Sequence, residues 1–359
     1  MSLPARQRAA VSIRGGGPAA LAAVRALAGH GIGVRLATDP PVAGLRPRAS
    51  PHLLINEPTL LLLDDLFGCG AALRVHAHAI RGRLVCWDRG EADLVEEPGL
   101  AMAATTLHRM LSARQVAHDG AATLDAMAWT IEARGRRSDD ADDVIVLGDR
   151  VAISAAASLR DGTDPSLCAV EAVAGGWLFL LPLGGDGAVV QAIVPQRPSD
   201  LAAALDGVLV QSRLVARLIA ARGDACEAFA CSPRLRREPA RPGWLAAGDA
   251  ALAFDPLCGD GTGQALRCGL LAGAVIAAIA RGEPEAACLT HYRQRLRRAM
   301  RAHLNAVIAF YSMAPCHDLW EREIARARQA LDPLAADDVH PAAPTRYRLE
   351  RLSLVPASA

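Results

Sequence analysis

The chain has 359 residues, is 52% hydrophobic and 21% charged, and carries a formal net charge of +1. That length buries a large core and accommodates roughly two domains, and the apolar content excludes a disordered chain. The near-zero charge gives no reason to expect nucleic acid or an anionic membrane as a partner.

Residues 10–14 read as a buried strand. Pro18 to Gly29 reads as a helix with Leu21, Val24, Leu27 and Ala28 on one face, and Gly31 to Ala37 as a second strand. This is a βαβ unit, and the turn inside it carries Gly15-x-Gly17-x-x-Ala20. Leu53 to Phe67 is helical past Pro58. Leu73 to Trp87 alternates in part and reads as strands of a second sheet. A helix over Thr105 to Ala117 is followed by an acidic run, Ser138 to Asp143, read as a solvated loop. Val144 to Leu147 is the expected return strand of the first sheet. Cys168 to Val194 holds two or three strands, with Gly184-Gly185-Asp186-Gly187 as a hairpin turn. Leu201 to Ala221 reads as an amphipathic helix and Gly263 to Ala280 as a long helix rich in small residues. Tyr292 to Ala330 is helical and arginine-rich, and Pro333 and Pro341 mark a loose tail.

The chain contains no lysine, so its 39 basic residues are all arginine, and no mechanism that needs a catalytic amine is open to it. Nine cysteines show no Cys-x-x-Cys pair and no metal-ligand spacing, and no metal is expected. Cys69, Cys168, Cys268 and Cys288 sit among apolar or small residues as buried thiols, which favours a reducing cytoplasm. No signal-peptide pattern opens the sequence. The apolar run from Cys268 to Ala280 is shorter than the roughly 20 residues a membrane span needs, so a soluble protein is expected.

Each small residue of the first motif has a mechanical reason. Gly15 permits a tight turn, Gly17 lets backbone approach a pyrophosphate, and Ala20 lets the helix pack on the strand. Pro18 and Ala19 open the helix whose N-terminus faces the negative charge. The acid that normally holds a ribose at the end of the second strand is displaced: Thr38 stands at that place and Asp39 one residue on.

Late in the chain stands Gly248-Asp249 through Asp255-Pro256 to Gly259-Asp260-Gly261-Thr262-Gly263. This segment resembles the flavin segment of the p-hydroxybenzoate hydroxylase-fold FAD-dependent monooxygenases and of the flavin-dependent halogenases. The resemblance implies that Asp249, after Gly248, holds a ribityl hydroxyl. It also implies that Pro256 and the turn Gly259, Asp260, Gly261, Thr262 and Gly263 line the isoalloxazine. Arg46 and Arg48 lie where such proteins often place an arginine near the FAD phosphates; an exposed basic loop is the other reading. The implied fold is α/β: a Rossmann-like FAD-binding domain with a parallel sheet, an inserted antiparallel-sheet substrate domain, and C-terminal helices. The FAD domain is expected at 8–70, 95–150 and 238–290, the substrate domain at 71–94 and 151–237, the helices at 291–330 and the loose tail at 331–359.

Leu54-Ile-Asn56-Glu57-Pro-Thr59, Trp87 and Gly176-Trp177-Leu-Phe-Leu-Leu-Pro182 look like one subgroup, the maturation flavoproteins of lysine and glycine oxidases and of quinohemoprotein amine dehydrogenase. The activity so implied is insertion of oxygen into an electron-rich aromatic ring through a flavin C4a-hydroperoxide. Its substrate would be a protein-bound tryptophan of a quinoprotein, during quinone cofactor maturation. The alternatives are an FAD-dependent dehydrogenase or reductase of a small molecule, and a non-catalytic FAD-fold chaperone of a partner oxidase. No second dinucleotide fingerprint is present, so electrons come from transiently bound NAD(P)H or from a separate flavin reductase. The resemblance implies that tryptophan halogenases rely on a lysine, and this chain has none, so lysine-dependent halogenation is not expected. His76 and His78 alternate with apolar residues and would share one face of a strand, either lining the substrate cavity as proton carriers or simply exposed. Trp87 and Trp177 either stack on an aromatic substrate or pack in the core. Glu57 reads as a helix-start residue rather than a base.

Overall fold

The structure is a computed structural model that describes residues 10–37, 51–87, 90–114, 127–137, 143–315, 317–336 and 347–356. β1 (Ala10–Arg14), α1 (Pro18–Ala28) and β2 (Gly33–Ala37) form the expected βαβ unit, with β1 and β2 parallel. The helix read past Pro58 is α2 (Glu57–Phe67), and β3 (His52–Asn56) precedes it. The Asn56 side chain caps α2 by accepting from Thr59 N at 3.0 Å, Pro58 sits in the first turn, and Gly68 closes the helix in the left-handed region.

The stretch read as strands over 73–87 is corrected. It holds α3 (Gly70–His76), β4 (His78–Ile80) and β5 (Gly82–Cys86), followed by β6 (Asp93–Val95) and β7 (Gly99–Ala103). β4 pairs with β7 in a small antiparallel sheet, β3-β7-β4, while only β5 and β6 join the large sheet. α4 covers Ala104–Ser112. The return strand of the first sheet is β8 (Met127–Glu132), not 144–147, because Trp129 and Ile131 pair in parallel with β1. β9 (Val144–Val146) instead pairs antiparallel with β15 (Arg234–Arg236), beside β18 (Leu252–Ala253).

β10 (Val151–Leu159), β11 (Leu167–Val173), β12 (Gly176–Gly184) and β13 (Gly187–Val194) follow, with the predicted hairpin turn between the last two. The single helix expected over 201–221 is instead α5 (Leu201–Leu209), α6 (Val215–Leu218) and the start of β14 (Ile219–Ala230). The buried carboxylate of Glu171 on β11 makes the break, accepting from the backbone N–H of Arg213 at 2.6 Å and of Val215 at 2.9 Å. Those amides are thereby drawn out of a helical ladder.

The remaining elements are β16 (Ala240–Arg241), β17 (Trp244–Ala246), α7 (Gly261–Ala280), α8 (Glu285–Ser312), α9 (Asp318–Ala336), β19 (Tyr347–Glu350) and β20 (Ser353–Pro356). The loose tail is also corrected. β19 and β20 pair as a hairpin, with Tyr347 and Leu354 buried in the core that contains α1 and α7.

Two sheets dominate. The first runs β16-β17-β8-β1-β2, parallel except for its edge strand β16. The second runs β14-β10-β13-β12-β11-β5-β6, antiparallel except for the β5/β11 pair. α1 and α7 cross on the first sheet backbone to backbone. A Cβ at Gly269 would run into the Ala19 carbonyl, and one at Gly273 would meet the Ala23 carbonyl at 2.9 Å. Small residues four apart on α7 therefore set the closeness of this crossing. By length and composition α7 is apolar enough to cross a membrane, with a mean hydropathy of 1.6, but 78% of that apolar window is buried inside the fold.

Candidate functional site

The two glycine-bearing segments of the sequence meet. Gly15 has φ 115°, and its N–H donates to Ala37 O at 2.8 Å. A Cβ at Gly15 would collide with the Ala133 carbonyl just past β8. Gly17 starts α1 without a side-chain cap and borders open space. The first-turn N–H groups of α1 have no intrahelical acceptor, and the helix dipole favours an anion in front of them. Gly248, at φ 61°, lies against this same turn, where a Cβ would stand 2.7 Å from the Ala19 Cβ. Asp249 follows with its side chain 42% exposed and its Oδ2 at 3.5 Å from Arg136 Nε. Surrounding protein pushes its carboxyl pKa up, against the pull of Arg136 and Arg234.

The second half of the segment is locked by buried charge. Asp255, fully buried, accepts from Arg150 and from Tyr311 Oη at 2.7 Å. Its N–H donates to His303 Nε2 at 2.8 Å, and its other carboxylate oxygen accepts from Leu257 N at 2.9 Å. Arg150 Nε also pairs with Glu323 of α9 at 3.0 Å, and Glu323 with Arg326 at 2.6 Å. Desolvation opposes the charge on Arg150, and Asp255, Tyr311 and Glu323 overcome it, so its pKa ends above the ordinary value. Burial lowers the His303 pKa to about 4, which keeps Nε2 an acceptor. Pro256 to Cys258 then form one tight turn, closed by Gly259 at φ 61°, and α7 begins at Gly261.

Between this segment and the second sheet lies a cavity of about 270 Å³. Asp249, Pro256, Gly259, Gly261 and Thr262 line one side of it. One face of the sheet lines the other with Arg83, Val170, Trp177, Phe179 and Gln191. Register explains that face: Val170 opposes Phe179, which opposes Gln191, while Trp177 opposes Ala172 and Arg83 opposes Cys168. His52, Arg136, Cys231 and Asp255 also line the cavity. Burial lowers the His52 pKa and pushes the Cys231 thiol up to about 12, so the wall presents a neutral imidazole and a neutral thiol at pH 7. A larger cavity of about 520 Å³ lies away from both glycine segments, between β9, β15, α8 and α9. Volume alone therefore does not mark the site.

Other sequence candidates fall differently. Gly263 does not line the cavity: a Cβ there would strike Asp260, Thr59 and Arg267, so it serves packing. Asp260 is turned toward α2 and α7, accepting from Thr59 Oγ1 at 3.1 Å and pairing with Arg267. Ala20 is fully buried against the first sheet. Trp177 lines the cavity, whereas Trp87 sits behind it, stacked on Tyr311 with ring centroids 6.4 Å apart. The shared strand face for the two histidines is corrected, because His76 ends α3 and His78 begins β4. His78 Nε2 is 2.6 Å from Pro165 O, and neither imidazole reaches the cavity. Thr38, Asp39, Arg46 and Arg48 lie outside the described residues. Sequence reasoning missed His52, Arg83, Arg136 and Gln191, which are isolated polar residues on strands or turns with no motif around them.

A parallel sheet with a glycine turn, a second sheet across a cleft and closing C-terminal helices define the fold of the FAD-dependent monooxygenases and halogenases. The likeness is carried by solved structures. QhpG, a peptidyl tryptophan dihydroxylase essential for tryptophylquinone cofactor biogenesis, is similar with a TM-score of 0.74 at 23% identity, over 97% of this chain and 86% of that one. The myxobacterial chondrochloren halogenase CndH has a TM-score of 0.74 at 17% identity, over 94% and 92%. The flavin-dependent halogenase CmlS has a TM-score of 0.74 at 16% identity, over 90% and 70%. No protein-family model matches the sequence, and no curated protein matches it.

Proposed function

We propose that the protein is an FAD-dependent monooxygenase acting on an electron-rich aromatic ring carried by a peptide or protein. The observation that carries this reading is the single cavity bounded by Asp249 and the Pro256–Thr262 turn on one side and by Trp177 and Phe179 on the other. The residues fit FAD. The open backbone at Gly17 and the start of α1 would take the pyrophosphate, Asp249 a ribityl hydroxyl, and the turn into α7 the flavin ring. When bound, FAD supplies the redox and oxygen chemistry.

The chain's own residues position and shield. The positive end of the 20-residue helix α7 stabilises negative charge at the turn. Val170 and Phe179 give an apolar floor that excludes water from the reacting ring. Burial keeps the Cys231 thiol of the lining protonated and so unreactive as a nucleophile. The tryptophan chemistry of QhpG favours an aromatic side chain on another protein as substrate. The several halogenase neighbours favour halogenation less, since the chain has no lysine to relay a hypohalous acid. Electrons would come from transient NAD(P)H or from a separate flavin reductase, and we place the protein in the cytoplasm, where its free cysteines stay reduced.

Turnover under labelled oxygen gas tests the reaction. Label in the aromatic product is the expected result; an oxidised product without label converts the reading to a dehydrogenase.

A further inference from the structure

The cavity keeps two buried N–H donors without an acceptor. Trp177 is only 4% exposed and lines the cavity, and its Nε1–H has no hydrogen-bond partner. Neighbouring indoles are satisfied: Trp87 Nε1 donates to Phe310 O, and Trp320 Nε1 to Val173 O at 3.2 Å. Arg83 Nε is likewise buried and unpartnered, although its Nη2 pairs with Glu97 at 3.2 Å. Buried donors are rarely left unmet, so two in one cavity indicate acceptors that arrive with a ligand. Arg83 and Trp177 share one face of the sheet, at rows of β11 four residues apart, or about 13 Å. Val170 and Phe179 form the apolar floor between them.

Charge in the same cavity is already balanced. Arg83 faces Glu97, Arg136 faces Asp249, and Asp255 faces Arg150. His52 is held neutral by burial. Among the described lining residues, no guanidinium or carboxylate is left without an opposite charge. A free amino acid would bring an ammonium and a carboxylate into this neutral space, and neither would find a partner. An amide-flanked ring brings only neutral carbonyl oxygens, which accept hydrogen bonds.

Resting on the aromatic-oxygenation reading, we propose that Trp177 is a specificity-determining residue. Its Nε1–H, with Arg83 Nε at the far end of the floor, receives the carbonyl oxygens of an amide-linked aromatic residue, and the cavity thereby rejects the free amino acid. Phe179 carries the ring, and the two donors fix its direction across the floor.

Calorimetric titration of the full FAD-loaded chain tests this without turnover, using N-acetyltryptophanamide, tryptophan and 3-methylindole as probes. The wild type is expected to bind N-acetyltryptophanamide at least about tenfold tighter than either other probe. Trp177→Phe, which keeps an aromatic ring and removes the donor, should lose about tenfold for N-acetyltryptophanamide and stay within about twofold for 3-methylindole. Equal binding of the three probes by wild type overturns the proposal, as does undiminished N-acetyltryptophanamide affinity in the variant. If the variant does not fold, the wild-type probe series decides alone. Failure of the underlying reading shows elsewhere, as loss of retained flavin or of labelled oxygen in product.

Discussion

Gly248–Asp249 and Asp255–Pro256 belong to one segment, yet the fold fixes them by different means. Gly248 is held by close packing: it rests on Ala19, and α7 rests on α1 through Gly269 and Gly273, while Asp249 beside it adds one ion pair with Arg136 at 3.5 Å. The second pair is held by a buried polar cluster in which Asp255 is bonded to Arg150, Tyr311 and His303, and Arg150 is ion-paired with Glu323. Packing of the first kind tolerates no added volume but is indifferent to pH. A cluster of the second kind tolerates volume better, but it depends on every partner and on protonation. One segment thus has a steric anchor at its Gly248 end and an electrostatic anchor at its Asp255 end.

The largest effect should come from the steric anchor. Gly269→Val pushes side-chain volume into the Ala19 carbonyl, and we expect loss of the native fold or a destabilisation of about 4 kcal/mol in denaturant titration. A stable Gly269→Val protein would break the comparison at its first term. Next comes the electrostatic anchor. Arg150→Met leaves Asp255 and Glu323 buried without their shared cation, and should cost about 3 kcal/mol. Asp255→Asn should cost less, since Arg150 keeps Glu323.

The pH response sharpens the contrast. His303 has a folded pKa of about 4 against an ordinary 6.5, so the unfolded chain takes up its proton first. The contribution is full above pH 6.5 and is lost as pH falls from 6.5 to about 4, a span worth about 3 kcal/mol. His303→Gln keeps an acceptor for Asp255 N and removes the titration, so its stability should fall less steeply over that window. His291 shifts the same way and keeps its own share of the slope. An identical slope in variant and wild type would remove His303 from the account.

The parts of this molecule legible in sequence are those that local chemistry dictates. Gly15, Gly17 and Pro18 announce a turn into a helix, Gly184 to Gly187 announce a hairpin, and small residues announce the close-packed α7. What stayed hidden depends on distant partners. The stretch at α3 alternates like a strand at Val75 and at Ala77 just past the helix, yet Ala71, Ala72, Leu73 and Arg74 favour helix, and Leu73 buries against α2 and α4 residues. β8 earns its place only by pairing with β1, and the break after α5 needs Glu171 from β11. The C-terminal hairpin is fixed by α1 and α7 rather than by its own sequence. Arg83 and Gln191 become part of a site only once the strand registers bring them to one face, and His52 only once the small β3-β7-β4 sheet packs beside that face. In the same way, Asp249 was legible through its motif, whereas its Arg136 partner was not.

The most direct measurement is the visible absorption spectrum of the full chain after loading with FAD and desalting, beside Asp249→Ala. The account predicts a retained oxidised-flavin band in the wild type. In the variant the band should weaken at least about tenfold in affinity terms, with the far-ultraviolet circular dichroism and unfolding midpoint of the flavin-free protein unchanged. Equal flavin retention by the two proteins, or none by either, would contradict the assignment of this cleft to FAD.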